Sequence, residues 1–221
     1  MNKYIRQTLI VFQNFSLFIS SILGIIFYNC FNLNFYKNFY LRENLAPSIN
    51  TTNDELINNT TNLLEYLTNK AELNTTWFSE KDILHMKDVR VLYNVSFNLM
   101  IFFIIIFILS TILIALVYKN YAMFYITKTF NKTLLAFILL VIVLAGIISY
   151  NFTSFWIKFH QLLFANNLWL LSPEESNLIK MVPEQFFISL ITTIILHILI
   201  LFISLLVVNN IFKKKFKIIS T

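Results

Sequence analysis

Two of the three histidines, His85 in "ILHMKDVR" and His160 in "FWIKFHQLLFANNLWLL", lie within a few residues of long apolar runs. An imidazole with an ordinary pKa of about 6.5 takes up and returns a proton near neutral pH, so two at one depth suit general acid–base catalysis. On a helix, residues three and four beyond His85 are Asp88 and Val89, with Leu92 following on the same face. Asp88 is thereby placed to orient or charge-stabilise the His85 ring, whereas Arg90 points elsewhere, toward a partner such as Glu184. After His160, the residues Asn166, Asn167 and Trp169 fall on a tight, apolar-flanked turn. Two other readings of the histidines stay open. In one, His85 pairs structurally with Asp88 and His160 caps a helix C-terminus, where a cation is favourable. In the other, both bind a metal with Asp88 or Glu80. The third histidine, His197, is eleven residues into the last apolar run, one turn beyond Thr193, where a hydroxyl can satisfy a neutral ring.

Other familiar chemistries lack their residues. There is no glycine-rich phosphate loop, no GxSxG elbow and no HExxH helix. The single Cys30 forms neither an internal disulfide nor a CxxC pair, so thiol-based metal sites are unsupported and no cofactor is expected. The Asn-x-Ser/Thr sequons, among them Asn50, Asn58, Asn59, Asn74, Asn94 and Asn151, follow from an Asn-rich, Ile/Lys/Phe-rich composition and carry no assignment.

The elements that hold these residues are membrane helices. The chain is 57% hydrophobic and 13% charged, with two glycines in 221 residues, far from the composition of a soluble domain. Four runs, at about 9–28, 93–117, 134–157 and 186–208, are long enough at about 1.5 Å per residue to cross a hydrocarbon core of about 30 Å. An all-α integral membrane protein with four transmembrane helices is expected, the first of them a retained helix rather than a cleaved leader. Lys3, Arg6, Lys119, Lys128, Lys132, Lys213, Lys214, Lys215 and Lys217 flank the spans with no acid among them, while all eleven acids lie in 30–92 and 158–185. Basic short loops stay on the cytoplasmic side, which predicts both termini inside and both large loops outside. The net charge of +6 is then a topology signal and not a nucleic-acid surface.

Residues 30–92 are too polar to span and too long for a simple connector, and are expected to form a small helical cap outside the membrane. Thr52 followed three residues on by Glu55 has capping-box spacing, opening an amphipathic helix that buries Leu56, Leu63, Leu64 and Leu67. Before it, "FNLNFYKNFYL" has the aromatic and polar mix of a segment resting in the headgroup layer. Ser79 with Asp82 reads as the start of the second long helix, which places His85 about 12 Å above the apolar run beginning at Tyr93. In the second outer loop, 158–185, Ser172, Pro173 and Glu175 predict one helix start and Pro183 the next.

With "HMKDVR" leading into a helix and "FHQLLFANNLWLLSPEESNLIKMVPEQFF" between the last two spans, the sequence resembles the bacterial lipoprotein intramolecular transacylases, four-helix membrane proteins with an extracytoplasmic cap. The resemblance implies movement of the sn-2 acyl chain of a lipoprotein's diacylglyceryl-cysteine onto its N-terminal α-amino group, giving a lyso-form lipoprotein. It places the family's histidines at His85 and His160 as catalytic residues; Asp88, Arg90, Asn166, Asn167 and Trp169, read from the residues themselves, are the supporting and substrate-binding candidates. Asn166, Asn167 and Trp169 would hold the ester and headgroup. It further implies a multi-pass protein of the bacterial cell membrane with its site at the outer face, acting on a lipoprotein among membrane lipids, without cofactor or metal; a monomer is expected. With so few glycines, Asn167, Trp169 or an imidazole must supply the oxyanion contact. Two rivals are a metal-dependent membrane hydrolase built on His85, His160 and a carboxylate, and a non-enzymatic membrane sensor.

Overall fold

The computed structural model describes the backbone of residues 3–219 and the side chains of 5–214; Lys3, Lys215 and Lys217, counted above as topology signals, lie outside the described side chains. Every regular element among the described residues is helical: α1 (Lys3–Cys30), α2 (Leu33–Arg42), α3 (Leu45–Ser48), α4 (Asn53–Leu67), α5 (Glu80–Tyr118), a short 3₁₀ turn at Lys119–Tyr121, α6 (Ala122–Tyr150), α7 (Phe152–Leu163), α8 (Asn177–Met181) and α9 (Glu184–Ile219). Three helical stretches are long and apolar enough to cross a membrane, Ile5–Cys30, Glu80–Tyr150 and Glu184–Lys214, the second containing both α5 and α6. The molecule is an all-helical membrane protein.

Two compact units divide the chain. The first comprises Met1–Ile26, Phe97–Gly146 and Ile194–Thr221. Its centre is Phe18, fully buried, whose ring packs against Phe130 and Phe137 at 5.2 Å and Phe202 at 5.5 Å. Outward-facing Leu139, Leu140, Ile142, Ile200 and Ile203 remain exposed, an arrangement stable only where the solvent is itself apolar. Polar residues inside the unit bond across helices: the Gln13 amide donates to Thr111 Oγ1 at 3.0 Å, and Asn209 donates to the Thr127 carbonyl at 3.1 Å. His197 lies on an exposed face of α9.

The second unit, Phe27–Ser96 with Ile147–Thr193, holds all the predicted site residues except His197. Thr52 caps α4 as expected, its Oγ1 accepting from the Glu55 N–H, and Leu56 and Leu63 are buried while Leu64 and Leu67 are half-buried. The aromatic segment before it becomes α2, and three of its rings, Tyr36, Phe39 and Tyr40, are buried. Tyr36 and Phe39 pack on Phe186 at 4.7 and 5.2 Å, and Tyr40 shares a 2.7 Å hydrogen bond with Thr60 of α4. The aromatic face thus makes the core of the unit. Asn44, Asn50 and Asn69 adopt positive φ, of 48°, 56° and 60°, so asparagine serves where a glycine-richer chain would use glycine.

Two helix boundaries differ from the sequence reading. The run 134–157, expected as one helix, is broken at Asn151, whose backbone leaves the helical region (φ −155°, ψ 92°) and whose side chain accepts from the Ser154 N–H to start α7. In the second loop, Ser172 does not open a helix: its carbonyl accepts from Glu175 and Ser176 in a turn, and Ser176 caps the short α8.

Candidate active site

Helix α5 carries His85 and Asp88 because Ser79 and Asp82 fix where it begins. The Ser79 N–H donates to Asp82 Oδ2 at 3.1 Å, and the Asp82 N–H to Ser79 Oγ at 3.2 Å, a reciprocal cap. Asp82 is wholly buried and reaches beyond its own helix: Ser176 donates its hydroxyl to Oδ1. One carboxylate therefore ties the start of α5 to the start of α8. The carboxylate–serine link 94 residues apart could not be seen from spacing, although the local cap could.

His85 and His160 come together, their ring centroids 6.1 Å apart and each under a tenth exposed. His160 sits in the last turn of α7, not at the end of the third long helix. Its Nδ1 lies 2.8 Å from the Trp156 carbonyl, which can only accept, so the proton is on Nδ1 and the Nε2 lone pair is open. Trp169 stacks on the other side of this ring at 5.0 Å. The His85 ring lies edge-on to Phe164 at 5.3 Å, and its Nδ1 is buried without a protein partner.

Asp88 does not orient His85 by a hydrogen bond. It accepts from the Asn166 amide at 2.8 Å, and Asn166 in turn accepts from the Trp169 indole N–H at its carbonyl, 2.9 Å, and from the Leu168 N–H at its side-chain oxygen, 3.0 Å. A carboxylate on the helix of one histidine thus holds the turn that lays an aromatic ring on the other. This arrangement also removes Trp169 from the oxyanion candidates, because its N–H is already engaged. Asn167 is exposed in the same turn, its carbonyl accepting from Leu170. Arg90 does not meet Glu184: its guanidinium lies 4.1 Å over the Tyr66 ring of α4, while Glu184 accepts from the Thr153 hydroxyl.

His85 precedes the apolar run beginning at Tyr93 by eight residues. Burial, with His160 beside it, holds its pKa down at about 4, against the opposing pull of Asp88 and Asp82. Burial also lowers His160, against its bond to Trp156. Both rings are therefore neutral near pH 7, and a proton taken by one of them is readily given up again. Among the described residues no three His, Cys, Asp or Glu side chains gather as metal ligands.

The family model for Lipoprotein intramolecular transacylase Lit matches residues 11–187. The chain belongs to this family. A solved structure of the membrane-integral transacylase Lit from Bacillus cereus superposes with a TM-score of 0.83 at 22% identity, covering 98% of this chain and all of that one. Two further structures of the Bacillus cereus transacylase, carrying in that enzyme's own numbering the mutations H85R and H85A, superpose with TM-scores of 0.78, at 22% and 21% identity and over 99% and 97% of this chain. Those chains are covered to 96%. Comparison with curated proteins finds no match.

Membership in the transacylase family makes the histidine pair the natural focus, and three residues around it escaped the sequence reading. Trp156 contributes a backbone carbonyl, which every residue possesses. Phe164 contributes an apolar edge among many. Asp82 reads as a helix-start acid and reveals its second role only when Ser176 meets it.

Proposed function

We propose that this chain is an acyltransferase that moves the sn-2 acyl chain of a diacylglyceryl-cysteine lipoprotein to the lipoprotein's own α-amino group. The reading rests on family membership and on one observation: a buried neutral histidine with its Nδ1–H anchored to Trp156 and its Nε2 open, 6.1 Å from a second buried histidine. His160 is the base. Its Nε2 takes a proton from the attacking amine as the nitrogen–acyl carbon bond forms. The bond from that carbon to the sn-2 oxygen then breaks, and the imidazolium returns the proton to this oxygen. Atoms balance within one substrate molecule, and no acyl donor or energy source is consumed, because an ester becomes a more stable amide.

His85 supplies the oxyanion contact. Its Nδ1 faces buried surroundings without an acceptor, so the proton belongs on Nε2, where it can donate to the developing oxyanion. Asn167 is a second donor. Asp88, Asn166 and Trp169 hold His160, and Arg90 ties α5 to the cap helix α4. Among the described residues neither Asp88 nor Glu80 gathers with the two histidines as a third ligand, so the metal-dependent hydrolase draws less support. Membrane placement follows the same reading: α1, α5, α6 and α9 each cross once, with both termini cytoplasmic, the loops 30–92 and 158–185 outside and the site at the outer face of the bacterial cell membrane. A single chain suffices.

Mass spectrometry of a model lipoprotein's N-terminal peptide, from cells making diacylglyceryl lipoproteins, tests the assignment. Expression of this chain yields an isobaric product with one acyl group on nitrogen, and His85→Ala and His160→Ala abolish it. An unchanged lipoprotein, despite membrane-inserted protein, would refute the proposal.

A further inference from the structure

In the same unit, at the start of α5 in the turns just before His85, is an open cleft of about 360 Å³ lined by Ser79, Glu80, Lys81, Leu84, Ser172 and Glu175 among others. It lies in the size range of small-ligand sites. The histidines do not line it, but Leu84 adjoins His85 in sequence and the far wall begins two residues after Trp169.

The position along α5 defines what can occupy it. From His85, Tyr93 and the apolar run lie in one direction, while Glu80 lies about 7.5 Å away in the other. A substrate reacting at the histidines has two kinds of appendage: acyl chains, which follow the apolar direction, and the polypeptide after the lipidated cysteine, which must leave in the polar direction. The α5 wall of the cleft, Ser79 to Leu84, is built from that polar side of His85. Its charges are also uneven. The Lys81 ammonium is tied to the Leu170 carbonyl, whereas among the described residues no hydrogen bond or ion pair engages the Glu80 and Glu175 carboxylates. Ser79 and Ser172 add hydroxyls suited to peptide groups, and Leu84 and Leu171 give apolar walls.

We propose that this cleft binds the first residues of the lipoprotein polypeptide after its lipidated cysteine, with Glu80 and Glu175 favouring basic side chains there. The proposal rests on the transacylase reading and extends it from the reacting centre to substrate choice.

The test compares two substrates of the purified full chain: an S-diacylglyceryl-cysteinyl peptide with lysines in its first residues, and S-diacylglyceryl-cysteine amide, which has no peptide. The quantity read is the ratio of their kcat/KM values, in the parent, in Glu80→Gln/Glu175→Gln and in Glu80→Lys/Glu175→Lys. The ratio should exceed one in the parent, fall about three- to ten-fold in the Gln pair, and fall further in the Lys pair, which should instead favour a peptide bearing aspartates. Conversion of the truncated substrate by each variant shows that it is folded; should the Lys pair fail there, the Gln pair decides. Equal ratios in parent and folded variants overturn the cleft assignment while leaving the transacylase reading intact. A parent that converts neither substrate overturns both.

Discussion

The His160 ring carries its most informative contact on the side away from the chemistry. Its Nδ1–H is committed to the Trp156 carbonyl, so the base is Nε2, and burial lowers the pKa of both histidines, that of His85 to about 4. Because the folded pKa of each is lowered, the neutral dyad persists as pH falls through 6.5, their ordinary value. The kcat/KM profile should therefore rise toward the substrate amine's pKa of about 8, with any break from the histidines displaced below 6.5. A measured profile between about pH 5 and 9 with a break near 6.5 would mean that a solvated histidine controls the rate. Asp88 gives a second residue-scale prediction. Asp88→Ala releases Asn166 and with it the Trp169 ring, lowering kcat about 10- to 100-fold, whereas Asp88→Asn keeps an acceptor for the Asn166 amide and retains most of the activity. Steady-state kinetics of the pair separates this from a charge effect on His85, which would disable both variants alike. In the sequence, the histidines and their polar neighbours were legible from type and spacing. The pairing of Asp88 with Asn166 was not, because a helical periodicity reports only what shares a helix face, and these two residues meet across 78 positions.

At the scale of elements, side-chain caps determine where the site helices begin. Thr52, Ser79 and Asn151 each start a helix by accepting a backbone N–H, and two of these were readable in advance as Thr52 with Glu55 and Ser79 with Asp82. Asn151 with Ser154 has the same three-residue spacing, but it lies at the end of a strongly apolar run that hydropathy alone extends through position 157. The break there makes α7 a separate helix, with His160 in its last turn. Asp82 goes further than a cap, since it is buried and accepts from both Ser79 and Ser176. Asp82→Ala should lower stability by about 2–4 kcal/mol by leaving those donors unpaired, whereas Ser79→Ala should cost about 1 kcal/mol. Reversible unfolding in detergent, followed by helical circular dichroism, gives both values. Equal losses would show that Asp82 acts only as a local cap.

On the scale of the molecule, the apolar exterior of the first unit and the polar, cap-rich second unit divide the work between residing in lipid and presenting a site. Composition and hydropathy were sufficient for the helical membrane class. They did not disclose that α2 would turn its aromatic face inward onto Phe186, because interfacial and core aromatics have the same composition. The proposed topology predicts, in a Cys30→Ser background, that Glu72→Cys is labelled in intact cells by a membrane-impermeant maleimide, and that Lys132→Cys is labelled only after permeabilisation. The reverse pattern would invert the molecule. The central claim is transfer within one substrate molecule by the His85 and His160 pair. It is tested most directly with purified chain and a mixture of two diacylglyceryl-cysteinyl peptides, one carrying an isotope-labelled sn-2 acyl chain and a distinguishable peptide. The account predicts that the label appears on the nitrogen of its own peptide only, and that His85→Ala and His160→Ala each stop the transfer. Label on the other peptide's nitrogen, or released as free fatty acid, would contradict it.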